Sequence, residues 1–69
     1  MTAELTMQHF LEVVRDHSTH AREVLLEEGF HPNVIYRKAE KAGRKGYTEW
    51  GVIVDRPWLT PEGREFLGS

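Results

Sequence analysis

The residues with the clearest chemical potential lie between positions 33 and 45, where cationic side chains accompany Asn33. The cations are Arg37, Lys38, Lys41, Arg44 and Lys45, and Glu40 is the one acidic residue among them. An asparagine amide can pair with the edge of adenine and an arginine with guanine, whereas a lysine binds phosphate as a point charge. This combination is typical of a surface that binds nucleic acid. An acidic protein would also be attracted to it.

Charge is distributed unevenly along the chain, whose 69 residues carry a formal net charge of -2 at pH 7. Residues 1–30 hold two arginines and six acidic residues, whereas residues 31–46 hold five basic residues and one acidic residue. Residues 47–69 hold two arginines and four acidic residues. The positive charge is therefore concentrated in one segment. A single basic face on a nearly neutral domain is the electrostatic pattern of a small nucleic-acid reader.

Size and composition exclude several classes of protein. The length favours one domain spanning residues 1–69, and the absence of cysteine excludes disulfides and thiolate metal sites. A hydrophobic fraction of 39% with seven aromatic residues argues against disorder. No apolar run reaches the length of a membrane span. We expect a soluble cytoplasmic protein without a membrane partner, associated with the nucleoid if it binds DNA.

Apolar periodicity predicts two helices in the first 28 residues. The first spans about 4–16 and places Leu5, Met7, Phe10, Leu11, Val13 and Val14 on one face. Either Thr2 or Thr6 can cap it. The second spans about 18–28, is capped by Ser18 or Thr19, and turns Ala21, Val24 and Leu25 towards the core, with Leu26 as a further candidate for that face.

A glycine turn separates the second helix from a third. Gly29 can adopt the positive φ that ends a helix, and Pro32 suits the first position of the next one. We predict a third helix over 32–42, with Gly43 as its C-cap. Its inner face consists of Ile35, Ala39 and Ala42. Two helices joined by so short a turn form a helix-turn-helix hairpin.

The period changes after residue 46, where aromatic and β-branched residues predict a β-hairpin over 47–59. Its first strand spans 47–54, its turn contains residues 55–57, and its return strand is Trp58–Leu59. A short final helix follows, with Thr60 as the N-cap and Pro61 as its first residue. Phe66 and Leu67 are expected to dock this helix on the core.

Two segments resemble the winged helix-turn-helix family. LLEEGFHPNVIYRKAEKAGRKGYTEWG (25–51) is similar to that family's helix, turn, recognition helix and first wing strand, and WLTPEGREFL (58–67) resembles its return strand and closing helix. The resemblance implies a small α+β fold of three helices, a two-stranded wing and a C-terminal helix. It also implies a DNA-binding regulator or an excisionase-like architectural protein. The chain departs from the family where leucines are common, since it carries Ala39 and Ala42 there.

The resemblance implies that the helix over 32–42 enters the major groove of double-stranded DNA and that the hairpin over 47–59 acts as the wing. The side chains expected to face the groove are Asn33, Val34, Tyr36, Arg37 and Lys41. Those expected to contact phosphates are Lys38, Arg44, Lys45 and, at the turn of the wing, Arg56. Glu40 is expected to pair within its own helix, with Arg44 or Arg37. The alternative is that these charges form an ordinary solvated helix face.

Two further sets of residues have competing interpretations. Trp50 and Trp58 either pack beneath the hairpin or form an exposed surface for a homodimer or another protein partner. His17, His20 and Glu23 have a spacing that could hold a metal, but no cysteine or second histidine pair completes the set. We expect exposed or capping histidines, no metal and no cofactor.

Catalysis finds little support in the sequence, which has no recognised pairing of a nucleophile with a base and no phosphate-binding loop. We therefore expect a DNA-binding protein and not an enzyme. The first alternative is a winged-helix module that binds a protein partner through its acidic helices or its tryptophan-bearing hairpin. The second is a subunit completed by self-association through the hairpin edge or the first helix.

Overall fold

Helices dominate the fold, and a short hairpin lies between the third and the fourth. A computed structural model describes residues 4–50 and 57–68. In order, the elements are α1 (Met7–His17), α2 (Ala21–Glu27), α3 (Pro32–Arg44), β1 (Thr48–Glu49), β2 (Trp58–Leu59) and α4 (Pro61–Leu67). The two strands form an antiparallel pair. The predicted α+β layout is confirmed.

The start of α1 is fixed by Thr6, one of the two predicted caps. Its hydroxyl accepts a hydrogen bond from the backbone N–H of His9 at 3.1 Å. Residue 5 therefore precedes the helix, and the helix begins at Met7 and not near residue 4. Leu5 is nevertheless buried, with 1% of its surface exposed, because the segment before the cap lies against the core.

The prediction that the side chain of Ser18 or Thr19 caps α2 is wrong. Ser18–His20 form a 3-10 turn, and Ser18 has a φ of 53°. The residue before α2 is His20, which makes no side-chain capping bond there. The reason is that the backbone turns directly from one helix into the next, with the N–H of Ser18 bonded to the carbonyl of Val14.

The end of α2 follows the prediction at Gly29, which has a φ of 99°. The N–H of Gly29 donates to the carbonyl of Leu26 at 3.1 Å, and the N–H of Phe30 donates to that of Leu25 at 3.2 Å. This pair of bonds is a Schellman motif, which requires the left-handed conformation that glycine adopts without strain. Pro32 then begins α3 as predicted.

The prediction that Gly43 is the C-cap of α3 is wrong. Gly43 lies inside the helix, which continues to Arg44, and Gly46 adopts the positive φ of 79°. Gly46 donates to the carbonyl of Gly43 at 3.1 Å and Tyr47 to that of Ala42 at 3.0 Å, which forms a second Schellman motif. The helix is longer because the glycine three positions later supplies this closing geometry.

The core is built by one face of each of the first three helices. The predicted inner face of α3 is confirmed, since Ile35, Ala39 and Ala42 are at most 1% exposed. Alanines at two of these positions let α3 lie close to its neighbours. Among the described residues, the rest of this core cluster comprises Leu5, Phe10, Leu11, Val13, Val14, Ala21 and Leu25.

The hairpin pairs Thr48 with Leu59 and Glu49 with Trp58. The predicted first strand, 47–54, overlaps β1 at its first residues, and the predicted return strand, Trp58–Leu59, is confirmed. Tyr47 and Trp50 are described but lie outside β1, so the strand is shorter than predicted at both of these positions. Residues 51–54 and the turn residues Asp55 and Arg56 lie outside the described residues.

The last helix, α4, is tied to the end of α3 through Thr60. The Thr60 hydroxyl accepts from the N–H of Gly63 at 3.1 Å, as a predicted N-cap should, and donates to the carbonyl of Gly46 at 2.6 Å. Leu67 packs against the core as expected. Phe66 docks only in part, since it remains 46% exposed while its ring lies 4.8 Å from that of Tyr47.

Candidate nucleic-acid interface

The helix expected to bind DNA, α3, is held at both ends by local hydrogen bonds. Its last turn is closed by the motif at Gly46, and its first turn is capped by His31. The imidazole Nδ1 of His31 accepts from the backbone N–H of Asn33 at 3.1 Å. This capping role matches the expectation of exposed or capping histidines, and it fixes the direction in which the helix leaves the turn.

The outer ridge of α3 points away from the core. Four residues at alternating spacings of four and three form it: Asn33, Arg37, Glu40 and Arg44. The carboxylate of Glu40 lies 3.8 Å from Arg44, so the predicted pairing within the helix is confirmed with Arg44 as the partner. The side chain of Arg44 remains 78% exposed, so the pair leaves its guanidinium accessible to a further anion.

One flank of α3, here called the open flank, consists of Val34, Lys38 and Lys41. These residues and Arg37 form one wall of a cleft of about 910 Å³ beside the helix. The rest of the lining comes from the segment before α1 and from the end of α2 with the following turn. It comprises Glu4, Leu5, Glu28, Gly29, Phe30 and His31. We call this cavity the α3 cleft.

The opposite flank, here called the closed flank, contains Tyr36 and Gly43, which are seven residues and about two turns apart. The six-membered ring of Trp50 lies against Gly43 so closely that a β-carbon there would collide with it. Tyr36 is 45% exposed and is not covered in this way. The hairpin therefore packs on the C-terminal half of this flank.

The predicted DNA-binding residues that the structure describes lie on α3 or directly after it, but they do not all face the same side of the helix. Asn33, Val34, Tyr36, Arg37, Lys41, Arg44 and Lys45 are exposed, and Lys38 is half-buried beside the α3 cleft. Tyr36 lies on the closed flank, across the outer ridge from Val34 and Lys41. Arg56 lies outside the described residues, so its predicted place at the wing is not described.

The two tryptophans have different surroundings. Glu49 pairs with Trp58, so Trp50, the next residue along, projects from the other face of the ribbon. Trp50 is half-buried on Gly43, which agrees with the interpretation that one tryptophan packs beneath the hairpin. Trp58 is 42% exposed, which leaves it available to a partner.

A contact between distant segments supports the turn before α3, and the sequence patterns gave no sign of it. Nε2 of His9 in α1 lies 2.6 Å from a carboxylate oxygen of Glu28, and the His9 ring is 6.0 Å from that of Phe30. The two partners are 19 positions apart, so no local spacing rule could pair them.

Within the described residues, no three potential metal ligands are grouped closely enough to hold an ion.

An exposed ion pair near the C-terminal end of α1 shifts the pKa values of both of its members. Nε of Arg15 donates to Oδ1 of Asp16 at 3.0 Å. This hydrogen bond and the arginine charge lower the pKa of Asp16, and the same bond raises the pKa of Arg15. Both groups are exposed, so solvent screens the pair and its influence stays local.

Comparisons with known proteins leave the class to be defined by the fold itself. No protein-family model matches the chain, and no curated protein or solved structure is significantly similar to it. The class is therefore a small α+β domain in which a helix-turn-helix hairpin, α2 to α3, precedes an antiparallel ribbon. None of the described helices has the length and apolar character needed to cross a membrane.

Proposed function

We propose that this protein binds double-stranded DNA in the manner of a winged helix-turn-helix domain, with α3 in the major groove. The observation that carries the proposal is the exposed outer ridge of α3, where Asn33 and Arg37 lie one turn apart on a helix fixed at both ends. A helix of this kind fits the major groove, and these two side-chain types read base edges there.

The C-terminal end of α3 supplies the nonspecific part of the binding. Arg44 and Lys45 are exposed there, beyond the last base-reading turn. Cations in this position contact phosphates, which fixes the register of the helix without reading sequence. The local field of the basic face matters more for binding than the net charge of the chain, and in that field Glu4 and Glu28 stand against three cations around one cavity.

The test is binding of a fluorescein-labelled DNA duplex, measured by anisotropy over a series of salt concentrations. We expect log K to fall linearly with log salt, with a slope of roughly −0.9 for each phosphate contacted. The double variant Arg37→Glu/Lys41→Glu should lose about 100-fold or more in affinity, since it reverses two charges expected to face the major groove.

A matched control is Arg15→Glu/Arg64→Glu, which makes the same change in net charge on α1 and α4. This variant should keep affinity within a few-fold of the wild type. Equal losses in the two double variants would mean that net charge, and not α3, governs binding. No binding of the wild type at low salt would refute DNA binding by this chain.

An alternative function is recognition of a protein partner through the hairpin. The observation that favours it is the 42% exposure of Trp58 beside Glu49 on the outer face of the ribbon. Tryptophan is enriched among residues that dominate protein interfaces. A partner recognised in this way would be lost in Trp58→Ala and retained in Arg37→Glu/Lys41→Glu, the reverse of the pattern expected for DNA.

A further inference from the structure

The α3 cleft has the size of a small-molecule site. Its volume of about 910 Å³ falls within the range of about 300 to 1,000 Å³ common for such sites. It lies between α3, the turn that directly precedes α3 and the segment before α1, which is distant from both in sequence. A DNA duplex lying on the convex outer ridge would not fill this concave space.

Apolar side chains form the floor of the cleft. Leu5 is buried, Phe30 is half-buried, and Val34 is 39% exposed although it belongs to an otherwise polar helix surface. Phe30 also packs on the core, so its ring is held in place. An apolar body that covered Phe30 and Val34 would remove their apolar surface from water, which favours binding.

Cations form the wall of the cleft that belongs to α3. Lys38 and Lys41 are three positions apart on the open flank, so their ammonium groups can reach one anion together, and Arg37 lies at the outer edge. Lys38 is half-buried, as expected for a lysine whose aliphatic stem packs on apolar side chains while its ammonium group stays in water. The opposite wall carries Glu4 and Glu28.

Three cations and two carboxylates line the cleft, so the acidic groups reduce its positive charge without cancelling it. The Glu28 carboxylate is engaged by His9 at 2.6 Å, on the side towards α1. Glu4 is exposed on the segment that precedes α1, across the cleft from the lysines. The cleft is therefore electrostatically polar, with its cationic side on α3 above an apolar floor.

We propose that the α3 cleft is a binding site for a small organic anion, with an apolar body on Phe30 and Val34 and a carboxylate between Lys38 and Lys41. This site goes beyond DNA binding, although it shares Val34, Lys38 and Lys41 with the expected DNA-binding residues; it is argued from the concave cleft beside the outer ridge. Its test uses no DNA, so either proposal can fail without the other.

The experiment is a titration of the uniformly ¹⁵N-labelled protein with 4-phenylbutyrate, followed by two-dimensional NMR. We expect saturable shifts that cluster at the amides of residues 28–31, 34, 38 and 41. The neutral analogue 4-phenylbutyramide should bind about tenfold more weakly, because a hydrogen bond to a charged group is lost. Acetate, which has the head group without the apolar body, should produce no saturable shifts in the same range.

Variants separate specific binding from general attraction of anions. Lys38→Gln/Lys41→Gln should weaken 4-phenylbutyrate binding about tenfold. Arg44→Gln/Lys45→Gln makes the same change in net charge at the C-terminal end of α3, outside the cleft. This control should leave binding within about twofold of the wild type. Glu4→Gln should strengthen binding, because it removes the carboxylate opposite the lysines.

Several results would overturn the proposal. One is the absence of saturable shifts at millimolar 4-phenylbutyrate in a protein whose spectrum shows a folded chain. Others are equal affinities for the acid and the amide, or equal losses in the two double variants. Binding of an acidic peptide without any binding of the small acid would assign the cleft to a different occupant and would likewise overturn it.

Discussion

The two flanks of α3 show how the same helix can be covered on one side and left open on the other. On the closed flank, Gly43 has no side chain, and the ring of Trp50 lies directly against the helix backbone. On the open flank, Val34, Lys38 and Lys41 line a cleft of about 910 Å³. The two flanks differ because Gly43 leaves room for the Trp50 ring on one side, whereas the larger side chains on the other side border the cleft.

This contrast teaches that a glycine inside a helix can serve packing. Glycine is about 1 kcal/mol less favourable than alanine within a helix, so its presence in α3 weakens the helix locally. The approach of Trp50 offsets that cost by burying aromatic surface against the backbone. The open flank has no neighbour of this kind among the described residues, and its one apolar residue, Val34, stays exposed beside two lysines.

The largest expected effect comes from Gly63 in α4, which holds the hairpin from its other side. A β-carbon at this position would collide with the backbone carbonyl oxygen of Tyr47 and lie 2.8 Å from Cδ1 of Leu59. Because a backbone atom cannot move aside alone, Gly63→Ala should reduce the free energy of unfolding by about 2 to 3 kcal/mol. Urea unfolding followed by circular dichroism measures this loss.

If Gly63→Ala displaces the hairpin, Trp50 should also move away from Gly43. The variant therefore tests whether the hairpin is what covers the closed flank. In a Trp58→Phe background Trp50 is the remaining tryptophan of the two in the chain. Its fluorescence should shift to the red in Gly63→Ala as water reaches the ring. An unchanged stability and spectrum would mean that α4 does not set the position of the hairpin.

A smaller effect is expected for Gly43→Ala, because the colliding atoms belong to the far end of the Trp50 side chain. The ring can rotate away, which loses its packing but restores helix propensity worth about 1 kcal/mol. We expect a net loss of about 1 kcal/mol, together with a red shift of Trp50 fluorescence. A gain in stability of similar size would show that Trp50 contributes little to closing this flank.

The smallest effect is expected on the open flank. Val34→Ala should change the free energy of unfolding by no more than about 0.5 kcal/mol, since Val34 is 39% exposed and borders a cavity. The same variant should weaken binding of 4-phenylbutyrate severalfold by removing part of the apolar floor. A stability loss above about 2 kcal/mol would place Val34 in the core and remove the contrast between the flanks.

Local sequence patterns were sufficient for most of the elements. Gly29 and Pro32 mark the turn between α2 and α3, and Thr60 with Pro61 marks the start of α4, because each acts through bonds within a few residues. The inner face of α3 also followed from helical spacing alone. For the candidate DNA-binding surface, the same spacing placed the cations on an exposed helix.

The errors occurred where two local signals competed. Both Gly43 and Gly46 could end α3, and spacing alone favoured the first glycine. The second was decisive because the closing bonds of Gly46 and Tyr47 form there, while Gly43 is occupied by a neighbour from the hairpin. Likewise, a threonine cap before α1 was expected, but which of two threonines acts depends on where the preceding segment lies.

By itself, then, the sequence determined the order of the helices, the turn at Gly29, the cap at Thr60, the buried face of α3 and the concentration of positive charge in residues 31–46. Only the tertiary structure decided that one flank of α3 is closed by Trp50, that the other opens into a cleft, and that His9 reaches Glu28 across 19 positions. The physical reason is range. Capping and periodicity act within about one or two turns, whereas a cavity or a contact between helices depends on how separate segments pack together.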